Sequence, residues 1–348
     1  MARLQPRNIL ICFDAFGTLI KPRRAVPTQY GEVARELGLS GFMDADIRNS
    51  FKVEFPQMMK EYPYYGRDSR MSAEEWWTNL IHRVFNPLVR EEDHQIISEH
   101  LAPRLLRRFS SAEGYAFVDD EIGPLLRELR HLRRQQTGHR SGGPPAYRVA
   151  VGVLTNSDDR IPGVLTSLGL DVGPLRRGSR LPRTDGLADL SPPPPRGGFA
   201  EAQQHDIDFC CTSRDVGYDK PNPAMFRTAR ALANASIGAP EEEHVGPDWS
   251  RGRALWPRRG GTAWTSILVG DDYKKDVCGA VGSGWHAVLV GGERDGEDVP
   301  SLPDFTTSAS SIQDLVFCRG QGFGAESAAT ALRWLCEQLA KYQRPLGA

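Results

Sequence analysis

Four short segments carry residue types able to do chemistry: Asp14-Ala15-Phe16-Gly17-Thr18-Leu19, Thr155-Asn156, Lys220-Pro221-Asn222-Pro223, and Gly270-Asp271-Asp272 with Asp276 following. Carboxylates, a hydroxyl and a lysine make a set suited to moving a phosphoryl group. A carboxylate attacking a phosphoryl dianion meets charge repulsion, so such a site needs a metal ion and a fixed cation beside the nucleophile. Each segment also has an ordinary use. An Asp after a strand is commonly a turn or N-cap residue, Lys-Pro-Asn-Pro opens a helix with Pro near its first turn, and Gly-Asp-Asp is a frequent loop.

The elements around these segments give them their weight. Ile9-Leu10-Ile11-Cys12-Phe13 is an unbroken apolar run that stops at Asp14, the pattern of a strand buried on both faces of a parallel sheet. Similar runs lie at Tyr147 to Leu154, Ile207 to Thr212, Ser266 to Val269 and His286 to Val290, while Ile122, Leu125, Leu129 and Leu132 mark a helix. Strands alternating with helices predict an α/β fold with a Rossmann-like parallel sheet core and right-handed crossovers. In such sheets ligands bind beyond the carboxyl ends of the strands, and it is there that these segments stand. Trp285 and His286 read as packing at a strand entry.

From Pro27 to about Phe109 the period becomes helical. Ile47, Phe51 and Phe55 fall on one stripe and Trp76, Leu80, Val84 and Leu88 near another, and Ser72 with Glu75 forms a capping box before Trp76-Trp77. An all-helical domain over 21–115 is therefore expected between the first core segment, 1–20, and the rest of the core, 116–320. A C-terminal amphipathic helix follows within 321–348, with Leu332, Leu335, Cys336 and Leu339 on one face, packing on the core or on a partner. Stretches near 135–146, 171–204 and 238–262, the second containing Pro192 to Pro195, are rich in Pro, Gly, Arg and Ser and predict flexible surface insertions.

A length of 348 residues suits one core plus one appendage. Lys and Arg total 43 against 44 Asp and Glu, so no global field draws the chain to nucleic acid or to an anionic membrane, and a small-molecule substrate is favoured. No apolar run approaches the roughly 18 residues of a membrane span, and no secretory h-region is seen. The six cysteines are scattered without CxxC spacing, as expected of reduced thiols in a cytoplasmic or nuclear protein. Oligomeric state is left open.

Taken in order, with a helical insertion just after the first, the four segments resemble the four motifs of the haloacid dehalogenase-like (HAD) hydrolase superfamily, in its branch with a helical C1-type cap. The resemblance implies Asp14 as nucleophile, Lys220 as the cation that neutralises it and the phosphoryl oxygens, and Thr155 as a hydrogen-bonding group for the transferring phosphoryl. Thr18 and Asn156 would sit at the substrate. It further implies Mg2+ held by Asp14, the backbone carbonyl of Phe16 and Asp271, with Asp276 as a further carboxylate that binds it directly or stands just behind the ligands and Asp272 a neighbour; oxygen ligands suit a hard, small cation.

One position departs from that pattern. Most HAD phosphatases carry a second Asp two residues after the nucleophile, which protonates the leaving alcohol and then activates water; here the residue is Phe16. General acid–base catalysis is worth about a hundred- to ten-thousand-fold, so a phosphatase without it is slow unless the cap, with its Glu, Asp, Tyr and His82 side chains, supplies a substitute. An aromatic residue here resembles the Asp-Ala-Tyr-Gly-Thr-Leu of the 2-haloacid dehalogenases, whose fourth motif has lost the acidic residues that Asp271 and Asp272 retain. The expected activity is a Mg2+-dependent phosphatase of a small phosphorylated metabolite. The alternatives are a 2-haloacid dehalogenase-type hydrolase and a catalytically weak HAD-fold binding protein.

Overall fold

The structure is a computed structural model that describes residues 7–137, 147–176, 205–237, 264–291, 301–309, 311–312, 315 and 320–341. Most of the three stretches rich in Pro and Gly, and Cys318, lie outside these residues. The strands are β1 (Arg7–Phe13), β2 (Ile20–Pro22), β3 (Tyr115–Phe117), β4 (Tyr147–Thr155), β5 (Val172–Leu175), β6 (Ile207–Thr212), β7 (Trp264–Gly270), β8 (His286–Val290) and β9 (Gly322–Ala325). Seven of them form one sheet in the order β5-β6-β4-β1-β7-β8-β9, and every pairing in it is parallel.

The apolar run of β1 explains its central place. Ile9, Ile11 and Phe13 enter the hydrophobic cluster on one face of the sheet and Leu10 and Cys12 the cluster on the other. Fully burying such side chains stabilises the fold by about 1.5–3 kcal/mol each. The helices Ile122–Thr137 and Ala328–Lys341 pack on one another over the first face, with Leu126, Leu129, Leu332, Leu335 and Leu339 fully buried. Pro223–Ser236 covers the second face through Met225, Phe226, Ala229 and Leu232. The C-terminal amphipathic face is thus part of the core. Trp285 packs edge-on against Phe226, and the His286 ring bonds the carbonyl of Leu315.

Register sets the site. Phe13 pairs with Val153 on β4 and with Val269 on β7, and the Asp14 amide donates to the Val269 carbonyl at 2.8 Å. Asp14, Thr155 and Asp271 therefore leave three adjacent strands at one level. The chain moves from β1 to β4 on one side and later to β7 on the other, so this edge is a topological switch point, where open α/β sheets form crevices.

Two strands of the seven-stranded sheet were not expected. Val172–Leu175 falls in the stretch read as an insertion from Asp171, and Gly322–Ala325 in the segment read as helix alone. Both are outermost in the sheet. An edge strand buries less and admits Pro and Gly, so the sequences Val-Gly-Pro-Leu and Gly-Phe-Gly-Ala carry no long apolar run.

Between β2 and β3 the chain is helical, with Val26–Glu36, Asp44–Glu61, Ala73–Phe85 and Ala102–Arg108 the longer elements. It leaves and returns through an antiparallel ribbon in which Ile20 faces Phe117 and Pro22 faces Tyr115. Ile47 is buried in the first cluster, and Phe51 and Phe55 pack against that cluster from partly buried positions. The Ser72 hydroxyl accepts from the Glu75 amide at 3.0 Å while the Glu75 carboxylate accepts from the Ser72 amide at 2.7 Å. None of the five described cysteines is in a disulfide, and all but Cys278 are buried. Among the described residues no helix is long and apolar enough to cross a membrane. Ser72→Ala removes the reciprocal cap and is expected to lower stability by about 1 kcal/mol, read from the midpoint of urea unfolding.

Candidate active site

The residues singled out in sequence meet at the carboxyl end of β1. Lys220 Nζ donates to Asp14 Oδ1 at 2.8 Å and to Asp276 Oδ1 at 2.6 Å. Burial alone would favour discharging this lysine, but Asp14 and Asp276 outweigh it and hold its pKa above the usual lysine range. Burial and the nearby Asp14 charge push the Asp276 carboxyl up to about 6 against the pull of Lys220. Burial and Asp14 likewise raise Asp271. One lysine thus faces three carboxylates, and ligand oxygens of Asp14, Asp271 and Asp276 all lie within 4.8 Å of one another.

Two glycines make this crowding possible. Gly17 turns the chain after β1 with φ +77°, and a Cβ there would lie 2.0 Å from Asp271 Oδ2. A Cβ on Gly270 would lie 2.2 Å from Asp276 Oδ2. Shortly after β7 comes Tyr273–Cys278, a π-helical turn that carries Asp276 inward, with the Asp272 carboxylate accepting from the Lys275 amide at its start.

The cluster opens on a cavity of about 200 Å³. Asp14, Thr155, Asn156, Lys220, Asp271 and Asp276 stand around it, as do Phe16, Asp272 and Lys275. Lys275 was not anticipated; its adjacency to Asp276 is the only signal in sequence. Burial opposes ionisation of Asp272, but the Lys275 ammonium, 2.5 Å from Asp272 Oδ2, outweighs it and holds that carboxyl below the usual range. The Phe16 ring rests against Tyr115, 5.5 Å between centroids. Two expected substrate contacts sit differently. Thr18 is fully buried, its hydroxyl 3.5 Å from Asp271 Oδ1, and is not among the residues lining the cavity. Asn156 lines it, but its carboxamide is turned to the Lys220 backbone, donating to the carbonyl at 3.0 Å and accepting from the amide at 2.6 Å.

Known proteins resemble the chain over these segments and beyond them. A family model described as HAD-hydrolase-like matches residues 217–315, which contain Lys220, Asp271 and Asp276. An uncharacterized hydrolase of Schizosaccharomyces pombe is 27% identical over 278 residues, 80% of this chain and 88% of that protein. The haloacid dehalogenase-like hydrolase domain-containing protein 3 of Danio rerio is 25% identical over 68% of this chain and 75% of its own length. The same-named protein of Homo sapiens is 24% identical over 83% of this chain and 84% of its own. Over these segments the chain is similar to the HAD-like hydrolases.

In this chain the helical segment is fastened to the core beside the site by contacts that no spacing in the chain pairs. Trp77 Nε1 donates to the buried Asp158 carboxylate at 2.7 Å, and Arg160, which binds Asp158 through two nitrogens, lies over the Trp77 ring at 4.3 Å. Burial opposes ionisation of Asp158, yet Arg160 holds its carboxyl below the usual range. Tyr65 donates its hydroxyl to the Asn156 carbonyl at 3.3 Å, and Arg214 donates to the carbonyls of Tyr65 and Met71. Tyr64, Tyr65 and Gly66 are consecutive left-handed residues, with φ of 51°, 55° and 80°. For two non-glycine residues that conformation costs roughly 1–2 kcal/mol each, which the Arg214 and Tyr65 bonds help to offset.

Asn156→Ala leaves both Lys220 backbone groups without their side-chain partners. Because a displacement near 1 Å can cost about a hundredfold in rate, turnover is expected to fall about ten- to a hundredfold with a smaller change in thermal midpoint, compared by steady-state kinetics and calorimetry. Trp77→Phe keeps an aromatic ring but loses the bond to ionised Asp158, and is expected to lower unfolding free energy by about 1.5–3 kcal/mol in denaturant titration.

Proposed function

We propose that this HAD-like hydrolase is a Mg2+-dependent phosphohydrolase in which Asp14 attacks the phosphorus of a small phosphorylated metabolite. The observation that carries it is Lys220 held between Asp14 and Asp276, with three carboxylates converging on one cavity. A buried lysine in contact with the nucleophile offsets the repulsion between a carboxylate and a phosphoryl dianion. The remaining negative charge fits a divalent cation: Asp14, Asp271 and Asp276 offer hard oxygen donors at mutual distances one ion can bridge. Asp14, Asp271 and Asp276, with the backbone carbonyl of Phe16, would hold it, and when bound it would supply Lewis-acid stabilisation of the phosphoryl oxygens. Thr155, buried at the cavity wall, is placed to hydrogen-bond the group in transfer. The helical segment, joined by a two-stranded ribbon, serves as the cap, and the partner is the small substrate, with no role for nucleic acid or membrane.

Phe16 in the cavity wall supports a second reading, displacement of halide from carbon, where no leaving alcohol needs a proton. Against it stand the acidic residues after β7, which that chemistry does not require.

Phosphate release from para-nitrophenyl phosphate is expected to need Mg2+ and to be abolished by Asp14→Asn. Metal-independent phosphate release, or halide release from 2-chloropropionate without added metal, would sink the phosphatase reading. The Asp276 carboxyl, raised to about 6, is protonated below that pH and free to bind a cation above it. Since a ligand must lose its proton before it binds, the Mg2+-induced rise in thermal midpoint is expected to be larger at about pH 7.5 than at about pH 5; equal shifts would remove Asp276 from the metal set.

A further inference from the structure

The cavity wall bears on which phosphoryl compounds the site can use. Among the described residues nine line it, and none of these comes from the helical segment between β2 and β3. His82, one of the groups considered as a substitute acid, is instead within 3.3 Å of the Ser98 hydroxyl on that same segment. Tyr65 directs its hydroxyl to the Asn156 carbonyl. At the wall itself, Lys220 is held by Asp14 and Asp276, the Asn156 carboxamide by the Lys220 backbone, and Lys275 by Asp272. Phe16 occupies the place beyond the nucleophile, and its ring is backed by Tyr115, itself packed on Phe109 at 5.6 Å. A hydrocarbon face held by two further rings neither gives a proton nor swings aside for a group that does.

We propose, resting on the phosphohydrolase reading, that the site is matched to phosphoryl compounds whose leaving group departs as a stable anion, namely acyl phosphates, phosphoanhydrides and aryl or enol phosphates, and discriminates against alkyl phosphomonoesters. Asp14 Oδ forms a bond to phosphorus as the bond from phosphorus to the leaving oxygen breaks. The electron pair goes with that oxygen, which is stable as carboxylate, phosphate, phenolate or enolate and needs no proton from the wall. An alkoxide has no such stability and would have to be protonated as it leaves. Water then attacks the phosphorus of the aspartyl phosphate, the bond to Asp14 breaks, the carboxylate is restored, and the proton of the water passes to solvent. With no base at Phe16, this second step is slow relative to the first.

The test is a leaving-group series measured on the full chain with Mg2+: acetyl phosphate, para-nitrophenyl phosphate, phenyl phosphate and glycerol 3-phosphate. The kcat/KM value, which reports the first step, is expected to fall steeply with leaving-group basicity, the alkyl ester lagging para-nitrophenyl phosphate by at least about a hundredfold, the low end of what general acid catalysis contributes. A burst of para-nitrophenol, stoichiometric with protein, is expected before the steady state. Phe16→Asp is expected to narrow the gap by raising the alkyl rate; a folded variant that leaves it unchanged overturns the assignment to Phe16. Should that variant not fold, the wild-type series decides alone. An alkyl ester turned over within about tenfold of para-nitrophenyl phosphate, both lost in Asp14→Asn, overturns the proposal and leaves the phosphohydrolase reading standing. Release from no phosphate in the series overturns both.

Discussion

The contact on which the rest of the site depends is that of one buried ammonium with two carboxylates. Lys220 is only 3% exposed, and a lone charge at that depth would carry a desolvation cost of several kcal/mol. Asp14 and Asp276 compensate it, and it in turn lets them approach each other. The arrangement is strained in its charge balance. Three carboxylates around one lysine leave an excess of negative charge, and burial together with the Asp14 charge displaces Asp276 and Asp271 upward. A fold that maintains such an imbalance needs rigid support, and the support is the sheet: Asp14 is bonded through its own amide to β7, and Asn156 clasps the backbone of Lys220 on both sides.

Small residues matter as much as charged ones here. The absence of side chains at Gly17 and Gly270 lets the carboxylates of Asp271 and Asp276 lie against backbone, so the site is shaped by excluded volume as well as by electrostatics. Phe16 does the opposite at the neighbouring position, filling space with a ring that has no polar atom. The same turn after β1 therefore holds one residue that must be minimal and another that is large and inert.

Much of this was legible in the chain. Ile9 to Phe13 and the runs before Thr155 and Asp271 announce buried parallel strands, and the order of the four segments brings Asp14, Lys220 and Asp276 together although Asp14 and Lys220 stand 206 residues apart. Ser72 and Glu75 announce a helix start because both partners of a cap are local. What stayed hidden was non-local or lacked periodicity. The edge strands β5 and β9 are short and contain Pro or Gly, so they do not look like strands. Trp77, Asp158 and Arg160 are individually ordinary, and nothing in spacing pairs a helix residue with a loop 81 positions later. Asn156 was recognised as belonging to the site, but the direction of a carboxamide is decided by the backbone groups nearest it.

The ribbon of β2 and β3 has a bearing on how such a chain tolerates change. It joins the two ends of the helical segment, so from the standpoint of the sheet the residues between are a loop already closed at its neck. The entropy of closing a loop grows only with the logarithm of its length, about 0.6 kcal/mol for each doubling. As far as loop closure goes, helices can therefore be gained, lost or exchanged above the neck at little cost to the strands below, and what limits that freedom is the few side-chain ties of Trp77, Tyr65 and Arg214 between segment and core.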